Sequence, residues 1–269
     1  MKLGVTHYPP LSFRALSMWL GLPALWLVLR VQGVPFAVAR SGWRELGALT
    51  FFNMLVWHVL AILAVQALSS GRAAILGYTM PIFSALLGAA LFGERIHWRQ
   101  AVGVAAAALG VVLLLWHEIG AMAGRPWAVL AMLVAAAAWA YGTQRMRRTR
   151  LPEPTLALVF WMTLATAIVM TVVAALRESS QWHAPDATAW AAIVYNALLI
   201  FAFAQPVWLW LARTLPPIAS TLSVMMIPVL GVISGAWWLG ETLHWQDWTA
   251  VALIMVAIAS VLLPQRRSA

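Results

Sequence analysis

The sequence predicts an all-α polytopic membrane protein built from two inverted five-helix repeats, with nine spans present and the first helix of the first repeat missing. Three observations predict it: the ratio of apolar to charged residues, a series of apolar segments of one bilayer's length, and a motif that recurs without a gap in the second half of the chain.

Of 269 residues, 63% are hydrophobic and 9% charged, and the mean hydropathy is +0.85. Soluble domains carry roughly a quarter charged residues and about half apolar ones. A water-soluble fold of this size has no means of hiding so much apolar surface, whereas a bilayer removes the need. The formal charge is +9, from 16 Arg and the single Lys2 against eight acids. Nucleic-acid binding would gather these cations on one face or groove. They lie instead in short clusters between apolar runs, as expected of cytoplasmic loops, so no nucleic-acid partner is expected. Cysteine is absent, which excludes disulfides and thiolate metal sites. Pro9 and Pro10 interrupt the chain before any apolar run begins, so the N-terminus does not read as a signal peptide.

Nine apolar segments follow, at 11–31, 46–67, 73–92, 99–117, 126–144, 155–176, 188–211, 217–239 and 245–263. Each approaches the ~20 residues that a helical span requires. Charge-bearing breaks separate them at Arg40 to Glu45, Gly93 to Arg99, Arg145 to Glu153 and Arg177 to Asp186, and none is long enough for a soluble domain. Ala runs at 105–108 and 135–138 suit close helix packing in lipid.

The repeat is the most informative feature. Residues 80–98, MPIFSALLGAALFGERIHW, align with residues 227–245, IPVLGVISGAWWLGETLHW. Pro81 pairs with Pro228, Gly88 with Gly235, Gly93 with Gly240, Glu94 with Glu241, His97 with His244 and Trp98 with Trp245, all at one offset of 147. Chance similarity between membrane helices shares Leu, Ala and Val, not a spaced Pro, Gly-Glu and His-Trp. Five crossings separate the two copies, an odd number, so they are expected to run in opposite directions, as the halves of many secondary transporters do. The expected repeats are residues 1–120, with four of five helices, and residues 121–269, with all five. Residues 1–10 read as the tail of the missing helix and its loop, and the expectation is an upstream start and ten spans in the intact protein.

With a cytoplasmic C-terminus, twelve of the 17 cations fall inside and five (Lys2, Arg14, Arg72, Arg125 and Arg177) outside, in agreement with the positive-inside rule.

The Pro81 to Gly93-Glu94 and Pro228 to Gly240-Glu241 motifs, the five-plus-five plan and the Trp139-Ala-Tyr141 stretch on the sixth family helix resemble the drug/metabolite transporter superfamily, specifically EamA-type permeases. The resemblance covers the whole chain except the first helix. It implies a bacterial inner-membrane carrier with a central cavity between the repeats and a small-molecule substrate; many such carriers export amino acids and related metabolites.

Seven residues are the candidates for substrate contact. Proline lacks an N–H, so Pro81 and Pro228 deprive the carbonyls of Gly77 and Val224 of a helical partner at membrane depth, marking either a kink beside the cavity or a packing kink. His58 lies near the middle of segment 46–67, with Asn53 and Trp57 close by, and its repeat equivalent is Gln205. Polar side chains at that depth face a cavity or a partner helix. Tyr78 and Met225, one turn before each proline, are also equivalents, with simple packing as the alternative. Most Trp residues fall near segment ends, where an aromatic belt is expected. Trp139 is deeper and is the remaining candidate, for stacking on substrate, although Trp161 and Trp208 are deep as well. Glu94 and Glu241 follow a glycine at a helix end and read as structural corners.

No GxxxxGK[ST] or HExxH motif occurs, so neither P-loop nucleotide binding nor zincin chemistry is expected, and no cofactor is. The reading is a secondary transporter, not an enzyme, that exports amino acids or related small metabolites by alternating access. The alternatives are a membrane-embedded enzyme acting on lipid-linked substrate, for which only scattered groups such as His117 with Glu118 or His97 are available, and a non-transporting membrane subunit. Substrate identity, coupling ion and oligomeric state are not legible in the residues.

Overall fold

The computed structural model describes residues 1–93, 98–120, 126–214, 227–240 and 242–262, and among them every regular element is helical. The helices are α1 (Lys2–His7), α2 (Pro10–Val31), α3 (Trp43–Thr50), α4 (Val56–Ala67), α5 (Ser70–Gly77), α6 (Met80–Phe92), α7 (Trp98–Gly120), α8 (Pro126–Arg148), α9 (Thr155–Glu178), α10 (Ala187–Tyr195), α11 (Gln205–Thr214), α12 (Ile227–Leu239) and α13 (Trp245–Leu262). Two π-helical segments, Phe51–Leu55 and Asn196–Ala204, join α3 to α4 and α10 to α11 without a break. Among the described residues six helical stretches are long and apolar enough to cross a bilayer: Pro10–Val31, Arg40–Ala67, Ser70–Phe92, Pro126–Arg148, Thr155–Gln181 and Ala187–Thr214. Helices α7, α12 and α13 cover the described parts of the other three expected segments. The chain is a multi-pass helical membrane protein.

Two expected boundaries differ from the observed ones. The break at Arg40 to Glu45 is helical, because a 3-10 turn at Arg40–Gly42 runs straight into α3. The segment around Pro81 is not one kinked helix. Helix α5 stops at Gly77, and α6 restarts with Pro81 as its second residue, where a missing N–H costs nothing because the first-turn N–H groups have no helical acceptor. Thr79 bridges the interruption, its hydroxyl donating to the Leu76 carbonyl at 2.6 Å and its own carbonyl accepting from the amides of Ile82 and Phe83. Pro228 is the second described residue of α12. Helices α6 and α12 end at positions 147 apart, Phe92 and Leu239. Each is followed by a glycine with left-handed φ, Gly93 at 68° and Gly240 at 63°, a conformation that other residues adopt only under strain. The next helices, α7 and α13, carry the equivalent Trp98 and Trp245.

The chain divides into two compact units, Met1–Gln66 with Tyr141–Leu215 and Ala67–Ala140 with Pro216–Ala269, each drawing on both halves of the sequence. In the first unit α2 lies along α9 and against the 196–204 segment, α3 and α11 pack on α9, and α1 packs on α10. Small residues carry these approaches: Ala15, Ser17 and Gly21 of α2, and Ala157, Ala167 and Ala174 of α9, are buried. A Cβ at Gly21 would lie 2.9 Å from both the Ala197 carbonyl oxygen and the Phe201 Cβ. Close backbone approach through small residues is the usual source of helix association in lipid, where no hydrophobic gradient drives it. Leu27, Val31, Val172, Leu176 and Phe203 point outward and are exposed, a liability in water but the expected lining against acyl chains.

Polar ties close both ends of this unit. Pro9 offers no side-chain cap to α2, and the Glu178 carboxylate from the end of α9 supplies one. It accepts from the amides of Leu11 (2.9 Å) and Ser12 (2.8 Å) and from the Ser12 hydroxyl (2.7 Å). An anion there also meets the positive end of the helix dipole. At the other end, Arg213 of α11 donates to the carbonyls of Leu151 (2.5 Å) and Glu153 (2.7 Å), holding the loop before α9, while Glu153 accepts from the Ala39 amide at 3.0 Å.

In the second unit α7 packs along α13, and α5 on α12. Asp247, in the first turn of α13, accepts from the His244 amide at 3.0 Å and from Arg72 Nε of α5 at 3.2 Å. The first bond is half of a capping box; the second fixes where α5 meets the start of α13.

Candidate functional site

In an α-helix each N–H bonds the carbonyl four residues back; a π turn reaches five back, which inserts a residue and opens the ladder locally. Such turns are rare and concentrate at functional positions. Here they occur in two stretches that the 147 offset relates: residues 51–55 correspond to 198–202, inside the 196–204 segment. His58 and Gln205, the equivalent polar pair, each sit just after one of these segments.

The two stretches belong to the same unit, and polar and aromatic side chains link them. Gln205 Nε2 donates to Met54 Sδ at 3.2 Å. The His58 ring stands edge-on to Phe201, with centroids 5.2 Å apart and planes at 61°. Both predicted residues are buried, His58 at 2% exposure and Gln205 at 7%. Neither ring nitrogen of His58 has a hydrogen-bond partner among the described residues. Buried polar groups in folded proteins are almost always satisfied, so an orphaned imidazole at membrane depth signals a missing partner of some kind.

Next to this pair lies a residue whose role the sequence reading missed. Arg14, counted there among the loop cations, is the fifth residue of α2 and is 1% exposed. Its guanidinium lies over the Phe201 ring, 5.4 Å from the centroid. Nη1 reaches Asn196 Oδ1 at 3.5 Å, Nη2 reaches Met1 Sδ at 3.1 Å, and Nε has no partner among the described residues. Asn196 is held by its own bond from Nδ2 to the Ala192 carbonyl at 2.9 Å. Phe201 thus contacts both Arg14 and His58. The one signal in the sequence was an Arg placed inside the apolar run 11–31 with no acid within a helical turn.

A second polar patch lies at the first π segment. Asn53, fully buried, accepts from the Thr143 hydroxyl at 3.4 Å, and its Nδ2 is unpartnered. Gly142 leaves it room, since a Cβ there would come within 2.6 Å of Asn53 Nδ2 and 2.9 Å of the Asn53 backbone nitrogen. Phe52 stacks edge-on against Tyr141 at 4.6 Å.

The remaining candidates belong to the second unit. Tyr78 is half-buried at the interruption between α5 and α6, Pro81 is the second residue of α6, Pro228 lies in α12, and Trp139 is half-buried on α8. Met225, Glu94 and Glu241 lie outside the described residues. Of the other deep tryptophans, Trp161 donates to the Phe36 carbonyl at 2.8 Å and packs edge-on against Trp43, so its place is structural. Among the described residues no group of three His or acidic side chains is placed to hold a metal ion.

The profile of the EamA-like transporter family matches residues 1–116 and 126–263. The chain is 27% identical over 270 residues to the "uncharacterized inner membrane transporter YedA" of Escherichia coli (strain K12), covering 98% of this chain and 85% of that protein. It is 27% identical over 272 residues to a "probable amino-acid metabolite efflux pump" of Salmonella typhimurium (strain LT2), covering 96% and 87%. A crystal structure 23% identical in sequence superimposes with a TM-score of 0.74 over 98% of this chain and 93% of the other, a likeness of fold. Apolar helices of membrane length, paired π segments related by one offset and a family match across nearly all residues agree: the chain is a membrane transporter and belongs to the EamA-like transporter family.

Proposed function

We propose that this transporter is a secondary carrier that exports amino acids or related small metabolites by alternating access between its two sequence repeats. The observation that carries the reading is the matched opening of helical turns in the two repeats. The two π segments overlap under the 147 offset, and the segment around Pro81 is broken between α5 and α6. Discontinuous helices in corresponding positions of two repeats are the best pointer to a carrier's site, because unwound or widened turns expose backbone groups to a polar solute. The printed function of the Salmonella relative supports the substrate class. His58 and Gln205 are proposed to meet substrate in the first unit, and Tyr78, Pro81, Trp139, Met225 and Pro228 remain in the proposal for the rest of the chain.

The proposed setting is the bacterial inner membrane, the C-terminus and the Arg145 to Arg150 loop on the cytoplasmic side, in line with the Arg bias. Fusions after residue 148 and at Ala269 should fluoresce as GFP and be inactive as periplasmic phosphatase; an active phosphatase at either place rejects this orientation.

The transport test is counterflow of radiolabelled amino acids in vesicles containing the purified full chain, with efflux from loaded cells as the second readout. Accumulation of at least one amino acid above protein-free vesicles supports the proposal. Absence of flux across all twenty, with inserted protein verified, overturns the substrate class.

A further inference from the structure

We infer that Arg14 is the carboxylate-recognition residue of this transporter, an inference that rests on the proposed amino-acid reading and names the part of the substrate that is held. A guanidinium removed from water needs either an anion or a full set of acceptors, since leaving the charge uncompensated is among the most costly arrangements a fold can contain. Arg14 is 1% exposed and has neither. Its contacts among the described residues are one long bond to an amide oxygen, a thioether sulfur and an aromatic face, and Nε is orphaned. The buried acid that caps the start of α2, Glu178 of α9, is committed to the α2 amides and the Ser12 hydroxyl. A permanently charged side chain within a membrane helix and without a counter-ion is a functional site by default.

The surroundings match the chemistry of a carboxylate. Arginine presents planar paired N–H donors that fit two oxygens at once. Phe201 lies against the guanidinium, a contact that consumes no donor. The same ring touches His58, whose two nitrogens are also without a partner among the described residues, so both polar groups adjoin Phe201. Arg14, Phe201 and His58 come from three separate helical stretches of one unit, and Phe201 lies within a π segment. A solute with a carboxylate would complete the donor set of Arg14 as no residue of the described chain does.

Two variants of the full chain test it. Arg14→Gln removes the charge. Asn196→Asp keeps the shape and places a carboxylate against Arg14, so the guanidinium stays buried and paired; it gives up the Nδ2 bond to the Ala192 carbonyl, and its melting temperature and monodispersity are checked against wild type before binding is compared. Both are purified and compared with wild type by thermal stabilisation and by counterflow per inserted molecule. The probes are L-threonine, L-phenylalanine and their carboxamides, with sodium acetate and sodium chloride as small anions.

Wild type is expected to be stabilised by the acids and not by the carboxamides. Both variants should bind the acids about tenfold or more weakly, the loss of one charge-assisted hydrogen bond. Equal binding of acid and carboxamide by wild type, unchanged binding of the acids in Asn196→Asp, or stabilisation by chloride equal to that by the amino acids overturns the inference. If wild type transports no amino acid, the export reading fails by itself. The inference then stands or falls on whether acetate stabilises wild type and not Asn196→Asp.

Discussion

Replacing Glu178 with Gln changes one carboxylate oxygen to an amide of the same size, and the structure says what is lost. Oε1 accepts from the Leu11 amide and Oε2 from both the amide and the hydroxyl of Ser12. A carboxamide keeps a single acceptor. At best it retains the Ser12 pair and turns its NH2 group towards the Leu11 N–H, donor against donor. One bond to a charged acceptor is worth about 1.5–3 kcal/mol, and the favourable term of an anion at a helix N-terminus adds about 0.3–1 kcal/mol. Glu178→Gln should therefore cost about 2–4 kcal/mol and Glu178→Ala more, because all three donors are then orphaned. The assay is reversible unfolding by SDS titration in mixed micelles, followed by tryptophan fluorescence. Ser12→Ala removes only the hydroxyl, so a double-mutant cycle with Glu178→Gln should return a coupling of about 0.5–2 kcal/mol. Wild-type stability of Glu178→Gln, or Gln and Ala variants of equal stability, would refute the reasoning that the carboxylate caps α2.

Gly142→Ala drives a Cβ to within 2.9 Å of the Asn53 backbone nitrogen, which cannot swing aside, so it should destabilise by about 1–3 kcal/mol in the same titration; Ala at the exposed, uncrowded Gly47 is the neutral control. His58→Leu and Gln205→Leu should each impair flux per inserted molecule with little loss of fold, since removing a polar group from a membrane helix costs about 1 kcal/mol; normal flux in both would remove the pair from the proposed site. Asp186 caps α10, and the Ala189 amide and then His7 hold its carboxyl below the ordinary value of 3.8. Its folded pKa is depressed, so its charge contributes stability above the unfolded value and loses that contribution as pH falls through the folded one. The difference in melting temperature between wild type and Asp186→Asn should be present at about pH 5 and vanish well below pH 3.8; a difference that persists there would be inconsistent with this.

Local and near-periodic features were legible in the residues. Apolar segments of bilayer length stand where the helices stand, because in lipid a backbone has no other way to satisfy its N–H and C=O groups. The equal offset between Gly93 and Gly240 anticipated two helix ends, since each glycine supplies a left-handed turn at its own position whatever surrounds it. The burial of His58 and Gln205 was legible too, through the offset and the cost of polar atoms at depth.

What the tertiary structure decided is everything that depends on partners distant in sequence. Glu178 reads as the charged end of a span, and only the fold brings it to an α2 amide 167 residues away. Arg14 reads as one more loop cation, because a sequence records the charge but not the absence of an acid across the packing interface. The π segments left no mark either: the residues 51–55 and 196–204 have ordinary helix-forming composition, and the extra residue per turn is accommodated by packing, not by propensity. Composition and spacing set which stretches enter the membrane, since each stretch meets lipid by itself. Which polar groups go unpartnered there is decided by the side chains of other helices, and only the folded chain assembles them.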